Sequence, residues 1–320
     1  ESKDLLTTIL RDEWGYEGTV MTDWFGGKDG AKQMWAGNDM LQPGKAEQFD
    51  SIVAGVRSGK LDVADLNRCV RNVLNLVEKS PRFKGYAFSN KPDLKDHAAI
   101  TRQSAAEGMV LMKNNEVLPL KADVRNVALY GCTSYDFIAG GTGSGNVNHA
   151  YVVSLLEGLS YGGYTVSDEL KTAYEQYIAE AKATREKAIE ELEKTDSQAA
   201  MLARFMPGTL PAEKLFSAAE LKAQADQADV AIITIGRISG EFLDRKAADF
   251  NLNDSEKKLI QQVCDIYHQA GKQVVVLLNI GGVIETASWK ELPDAILCAW
   301  QAGQEGGNSV VDVLSGKQSP

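Results

Sequence analysis

The stretch "VAIITIGRISGEFLDRKAADFNLNDSEKKLIQQVCDIYHQAGKQVVVLLN" (residues 230–279) decides the fold. Two apolar runs, "VAIITIG" and "QVVVLLN", flank a helical stretch, "DSEKKLIQQVCDIYHQAG". Strands this continuously rich in Val, Ile and Leu are buried on both faces, the mark of a parallel sheet with helices above and below. Working outward, "NVALYG" (126–131) and "AILCAW" (295–300) repeat the signal, with helical stretches between them. One of these, residues 168–194, is so highly charged that most of its charges read as a solvated face. The helix "DHAAITRQSAAEGMVLMKN" (96–114) is expected to open this domain, and "SPRFKGYAFSNKPDL" (80–94) has the composition of a linker before it. The reading is an α/β chain with a mostly parallel α/β sandwich over 96–320.

The first 79 residues have a different character. "DLLTTILRDEWGY" reads as a helix through Leu5, Leu6, Ile9 and Leu10, stopped by Gly15. A short strand is expected at Thr19, Val20, Met21 and Thr22, then a helical turn and a second short strand around Asp39 to Leu41. Helices follow in "FDSIVAGVRSG" and "DVADLNRCVRNVLNLVEK", the second with Val63, Leu66, Val70, Val73, Leu74 and Val77 along one stripe. Two strands do not enclose a sheet, so residues 1–79 read as the tail of a larger α/β unit. The expected division is 1–79, a linker at 80–95, and 96–320.

Bulk properties exclude several function classes. A formal net charge of −10 over 320 residues argues against a general nucleic-acid binder, which needs a basic footprint. No apolar run reaches the roughly 18 residues of a membrane span. Cys69, Cys132, Cys264 and Cys298 stand singly among apolar neighbours, and the histidines are only His97, His149 and His268. Neither set has metal-ligand spacing, so no metal or cofactor is expected. Buried free thiols suggest a cytoplasmic setting, with a periplasmic or secreted one left open because the chain opens "ESKDLLTTIL" and looks cut from a longer protein.

Three glycine-rich stretches are weighed for phosphate binding. "GVRSGK" (55–60) lacks the Ser/Thr after its lysine and reads as a helix end. "AGGTGSGNVN" (139–148) does not join strand to helix with dinucleotide spacing, which leaves a plain loop or a sugar-contacting one. In "AGQEGGNSVVDVLSG" (302–316) the glycines allow close packing after a strand.

The chemistry-bearing residues are two carboxylates. In "GTVMTDWFGG" (18–27), Asp23 stands where a strand ends and the chain turns out through Phe25, Gly26 and Gly27. After "VAIITIG", a loop carries Glu241, Asp244, Arg245 and Asp249. Taken alone, each reads first as a turn cap or a surface ion pair. Together they put one strand-end carboxylate in each of two domains, the equipment of glycoside hydrolysis.

Six stretches carry a resemblance: "LRDEWGYEGTVMTDW", "AGNDMLQPG", "AAEGMVLMKNNEVLPL", "GGTGSGNVNHAYVVSLLEGL", "GRISGEFLDRKAADFNL" and "VVVLLNIGGVIE…AILCAWQAGQEGGNSVVDVLSG". In this order, over essentially the whole chain, they resemble glycoside hydrolase family 3, and most closely its β-glucosidase branch. The resemblance implies the C-terminal part of a (β/α)8-type barrel followed by the α/β sandwich. It also implies that an N-terminal barrel segment, with further residues that grip the sugar, is missing here, so the isolated chain is expected to be inactive. Asp23 in "TDW" then matches the catalytic nucleophile and Glu241 in "SGE" the acid/base. Trp24 matches the aromatic beside the nucleophile, and Ser144 in "GTGSG" the second-domain loop that touches the sugar. Asp244 and Arg245 are expected to form a structural pair holding the Glu241 loop. The implied substrate is a β-linked gluco-oligosaccharide or an aryl or alkyl glucoside. Xylosidase and N-acetylglucosaminidase activities are the alternatives within the family, the second disfavoured by the "SGE" loop. A non-catalytic sugar-binding module is the alternative outside it.

Overall fold

The computed structural model describes residues 1–205, 208–242 and 244–320, and the chain separates into two compact units, Glu1–Pro92 and Asp93–Pro320. In the second unit six strands form one sheet: β1 (Val110–Asn114), β2 (Asn126–Tyr130), β3 (Thr165–Val166), β4 (Val230–Arg237), β5 (Gln273–Ile280) and β6 (Ala295–Cys298). Their order across the sheet is β1-β6-β5-β4-β2-β3. Every neighbouring pair is parallel except β1 with β6. The apolar runs of β4 and β5 occupy its centre because both of their faces are covered. On one side Ile233, Ile235, Val274 and Val276 pack on Leu259, Val263 and Tyr267 of the helix Asp254–Gln269, with Tyr174 and Leu221 from two further helices. On the other, Ile232, Val275, Leu277 and Leu297 meet Leu155, Leu159, Val310 and Leu314. This is the mostly parallel α/β sandwich that the two-sided strands require.

The glycines of "GQEGGNSVV" allow the close approach expected of them. A Cβ at Gly307 would lie 1.9 Å from the Ser154 carbonyl oxygen, at the start of the helix Leu155–Tyr161. The charged stretch after residue 167 is a single helix, Asp168–Thr195, burying Leu170, Tyr174, Ile178 and Ile189.

The start of this unit differs from the sequence reading. The helix expected over 96–114 is Leu94–Glu107, capped by the Asp93 carboxylate and ended at Gly108. The remaining "VLMKN" is β1, which pairs antiparallel with β6 through Val110↔Cys298 and Asn114↔Ala295. Four of its five residues are exposed, so neither helical nor two-sided strand patterning marks it. Pairing with the free edge of β6 overrides the helical propensity of Leu, Met and Lys.

In the first unit, the helix Asp4–Glu13 is wide, with π-type bonding, and the Trp14 and Tyr16 N–H groups continue the loose pattern by donating to Ile9 and Leu10. The helices Gly30–Ala36, Ala46–Arg57 and Val63–Lys79 follow. The two strands expected at Thr19–Thr22 and Asp39–Leu41 reduce to one parallel bridge, Met21↔Met40. The segments do run side by side, since the Asp39 and Met40 N–H groups donate to the Val20 carbonyl and Thr22 N–H to that of Met40. With no third strand beside them in this unit, the ladder stops there. The core is small: Ala31, Met34, Leu41, Leu61 and Cys69, with Leu66 packed against it. Along the expected stripe of Val63–Lys79, Val63, Val70, Leu74 and Val77 remain about half exposed.

All four cysteines are free and buried. Burial pushes their thiols up, Cys69 to about 11 and Cys264 to about 12, so they behave as small apolar side chains. Among the described residues no helix is long and apolar enough to cross a membrane.

Candidate active site

Asp23 owes its position to a buried carboxylate sixteen residues further on. The Asp39 side chain is fully buried; its Oδ2 accepts from Val20 N–H at 2.8 Å and from the Arg11 guanidinium at 2.6 Å, and its Oδ1 accepts from the Asn72 amide at 3.0 Å. Arg11 also donates to the carbonyls of Gly18 and Gly37. The segment leading to Asp23 is thereby tied to the first helix, the Asp39 segment and the last helix of its unit.

Beyond the Met21↔Met40 bridge the chain turns tightly. Gly26 N–H donates to the Asp23 carbonyl at 3.1 Å, and Phe25 takes a positive φ of 61° while its N–H donates to Gln42. A non-glycine residue in this left-handed region costs roughly 1 kcal/mol or more. The Lys45 ammonium, 4.7 Å from the Phe25 ring centre, helps hold it there. The Asp23 carboxylate is exposed and accepts from Trp24 N–H at 2.6 Å through Oδ1. The Trp24 ring is 65% exposed, with Phe25 edge-on at 5.9 Å. One carboxylate oxygen and a broad aromatic face are thus presented at the end of the braced segment.

In the second unit the Glu241 loop leaves the C-terminal end of β4. Arg237, the last residue of that strand, makes a buried bidentate ion pair with Glu256. It also donates to the carbonyls of Asp249 and Asn251, which pins the far end of the loop. Arg245 donates to the carbonyls of Asp249 and Val283. The expected pairing with Asp244 does not occur: among the described residues no ion pair joins the two. Two backbone acceptors within reach of one planar guanidinium outcompete a carboxylate that solvent can satisfy.

The near end of the loop is held by the "GGTGSG" segment. Thr142 and Gly240 form a parallel bridge, Thr142 N–H donates to the Ser239 carbonyl, and the Thr142 hydroxyl donates to the Glu241 carbonyl. Ser144 N–H donates to Glu241 Oε2 at 2.8 Å. The Ser144 hydroxyl, and then this N–H, hold the Glu241 carboxyl below the usual glutamate range. Glu241 itself is exposed. Its place after β4 was readable from the apolar strand; its partner, 97 residues earlier, was not.

A cleft of about 590 Å³ is lined by Thr133, Glu213, Gly236, Arg237, Asp244 and Arg245 among others. Glu213 is 8% exposed and accepts from Cys132 N–H at 2.9 Å. Burial pushes its carboxyl up to about 7. Among the described residues no cluster of three or more His, Cys, Asp or Glu side chains is disposed to hold a metal ion.

Comparison with known proteins decides what these loops belong to. The profile described as the glycosyl hydrolase family 3 C-terminal domain matches residues 109–320. The chain belongs to glycoside hydrolase family 3. Among relatives, an exo-α-(1→6)-L-arabinopyranosidase of Bifidobacterium breve is 30% identical over 99% of this chain and 38% of its own length. A β-glucosidase of Rhizobium radiobacter is 39% identical over 50% of this chain and 20% of its own. β-Glucosidase 3B of Thermotoga neapolitana, solved in complex with glucose, is 42% identical with a TM-score of 0.86, matching 99% of this chain and 44% of that one. The chain therefore spans less than half the length of these relatives.

Proposed function

We propose that the protein carrying this chain is a retaining β-glucosidase that releases terminal β-D-glucose by double displacement. The observation that carries the reading is Glu241, an exposed carboxylate on a strand-end loop fastened at both ends. The opening "TDW" segment supplies the second carboxylate, Asp23, with Trp24 beside it as a stacking face. Asp23 attacks the anomeric carbon and forms a glycosyl ester as the C–O bond to the leaving group breaks. Glu241 gives its proton to the leaving oxygen. It then takes a proton from the water that attacks the same carbon and frees Asp23. Residues 1–79 serve in this reading as the end of the barrel, linked through 80–95 to the sandwich of 96–320. Ser144 contacts the sugar from the second unit, and the four buried thiols support a cytoplasmic setting.

A relative named as an exo-α-(1→6)-L-arabinopyranosidase matches nearly the whole chain, which favours arabinopyranosides as the second substrate class. The test is a panel of nitrophenyl and alkyl glycosides given to the full-length protein. Asp23→Asn abolishes turnover, because an amide cannot form the ester. Glu241→Ala slows release of poor leaving groups more than of nitrophenol, and azide restores the second step. Equal losses on every substrate without azide rescue move the acid/base role to another residue. A preference for arabinopyranosides replaces glucose as the substrate.

A further inference from the structure

We infer that the Gly143–Ser144 peptide is the positioning element of Glu241, holding Oε2 as an acceptor and leaving Oε1 as the oxygen that exchanges the proton. The inference rests on Glu241 being the acid/base. Its basis is the way two distant loops interlock. A Cβ at Gly141 would lie 2.4 Å from the Ser239 carbonyl oxygen, and one at Gly240 would lie 2.3 Å from Thr142 N. At these points backbone lies against backbone, and only glycine fits. At Gly143 the neighbour is Glu241 itself: a Cβ there would be 2.3 Å from Oε2 and 2.4 Å from the Glu241 Cβ. Gly143 also has a φ of +64°, which aims the following N–H at the carboxylate.

A backbone N–H can only donate, so Oε2 is confined to the acceptor role while the contact lasts. The proton leaving for the glycosidic oxygen, and the one later taken from water, pass through Oε1. Fixing one oxygen also fixes the carboxyl plane, which sets where the other points. Among the described residues no ion pair joins Glu241 to a charged side chain, and its carboxyl is held down by Ser144 alone. The 139–146 loop carries none, and Arg245 on Glu241's own loop is committed to carbonyls. The Ser144 hydroxyl and N–H, which hold the Glu241 carboxyl below the usual glutamate range, are consistent with this arrangement.

The test reads Glu241 directly. In the 320-residue chain labelled with carboxyl-¹³C glutamate, the Glu241 resonance is assigned with Glu241→Gln and titrated by NMR. The wild-type midpoint lies below 4.5, the ordinary value. Gly143→Ala, whose methyl presses on both the carboxylate and the Cβ of Glu241, raises the midpoint to that value. Ser144→Ala, which keeps the N–H, raises it part of the way. Hydrogen exchange of the sheet amides checks that both variants are folded. An unchanged midpoint in folded Gly143→Ala overturns the inference. In the full-length protein, Gly143→Ala lowers kcat on alkyl glucosides by about 100-fold, the cost of misplacing a catalytic group by about 1 Å. Nitrophenyl glucosides lose less. If the midpoint moves but Glu241→Ala shows no leaving-group dependence, the positioning stands and the acid/base assignment falls.

Discussion

Glu213→Gln replaces a carboxyl that is protonated in the folded chain at a pH where the unfolded chain has already released the proton. Glu213 titrates near 4.5 when exposed and at about 7 when folded, because burial penalises its charge. Below 4.5 both states hold the proton, and above 7 both have lost it. Between these values only the folded state holds it, so stability falls as pH rises from 4.5 to 7 and then levels. At about 1.4 kcal/mol per pH unit, the loss from this one group is about 3 kcal/mol. Glutamine has the shape of the protonated acid and still accepts from Cys132 N–H, so its stability does not fall through this window. Native-state hydrogen exchange of the β4 and β5 amides at pH 5, 6, 7 and 8 measures the second unit alone. Wild type loses about 2–3 kcal/mol between pH 5 and 8 relative to the variant. Parallel pH dependences in the two proteins refute the reasoning and mean that Glu213 is ionised in the folded state.

Removing the buried brace of the first unit with Asp39→Ala strands the Arg11 guanidinium, Val20 N–H and the Asn72 amide, and destabilises residues 1–92 by about 3–5 kcal/mol. Hydrogen exchange confined to that unit reads the loss, and a change below 1 kcal/mol contradicts the assigned network. Gly307→Ala presses a methyl onto the Ser154 carbonyl, where backbone cannot yield cheaply, and costs the second unit about 1–3 kcal/mol in urea unfolding. The 320-residue chain alone turns over 4-nitrophenyl β-D-glucoside no faster than its Asp23→Asn variant, because it spans less than half the length of the relatives it matches and near-attack geometry needs the whole site. Activity lost on that substitution disproves this.

The parts of the fold legible in the sequence are those whose burial is two-sided. β4, β5 and the helix between them could be read because every position of "AIITIG" and "VVVLLN" faces a covering layer. β1 could not, since an exposed edge strand carries no periodicity and its residues also suit a helix. The strand-end position of Glu241 followed from the apolar run before it, whereas the strand expected before Asp23 is a single bridge. What surrounds the two carboxylates was not legible. Arg11 and Asp39 are 28 residues apart, Ser144 and Glu241 97, and no local spacing announces either contact. Asp39 offered a faint signal, a charge within the apolar run "NDML". Glu213 offered none: in "PAEKLF" it reads as a solvent residue, and only Cys132 N–H and the packing around it show otherwise. Asp244 and Arg245 were misread because adjacency suggests a pair, while the guanidinium reaches carbonyls that only the folded loop brings near.

The antiparallel strand β1 has a consequence for how the second unit comes into being. It is the first strand of that unit to be synthesised, and its partner β6 is the last. Arg102 and Asp312, paired across 210 residues, repeat the same closure on a neighbouring helix. Each contact requires the loop between its ends to be gathered first, an entropic cost that slows folding. A ribosome that has passed Asn114 must add about 180 residues before Ala295–Cys298 can receive β1. Until then the exposed apolar residues Val110, Leu111 and Met112 have no strand to join, so the nascent chain is most vulnerable to mispairing in the interval between its first strand and its last.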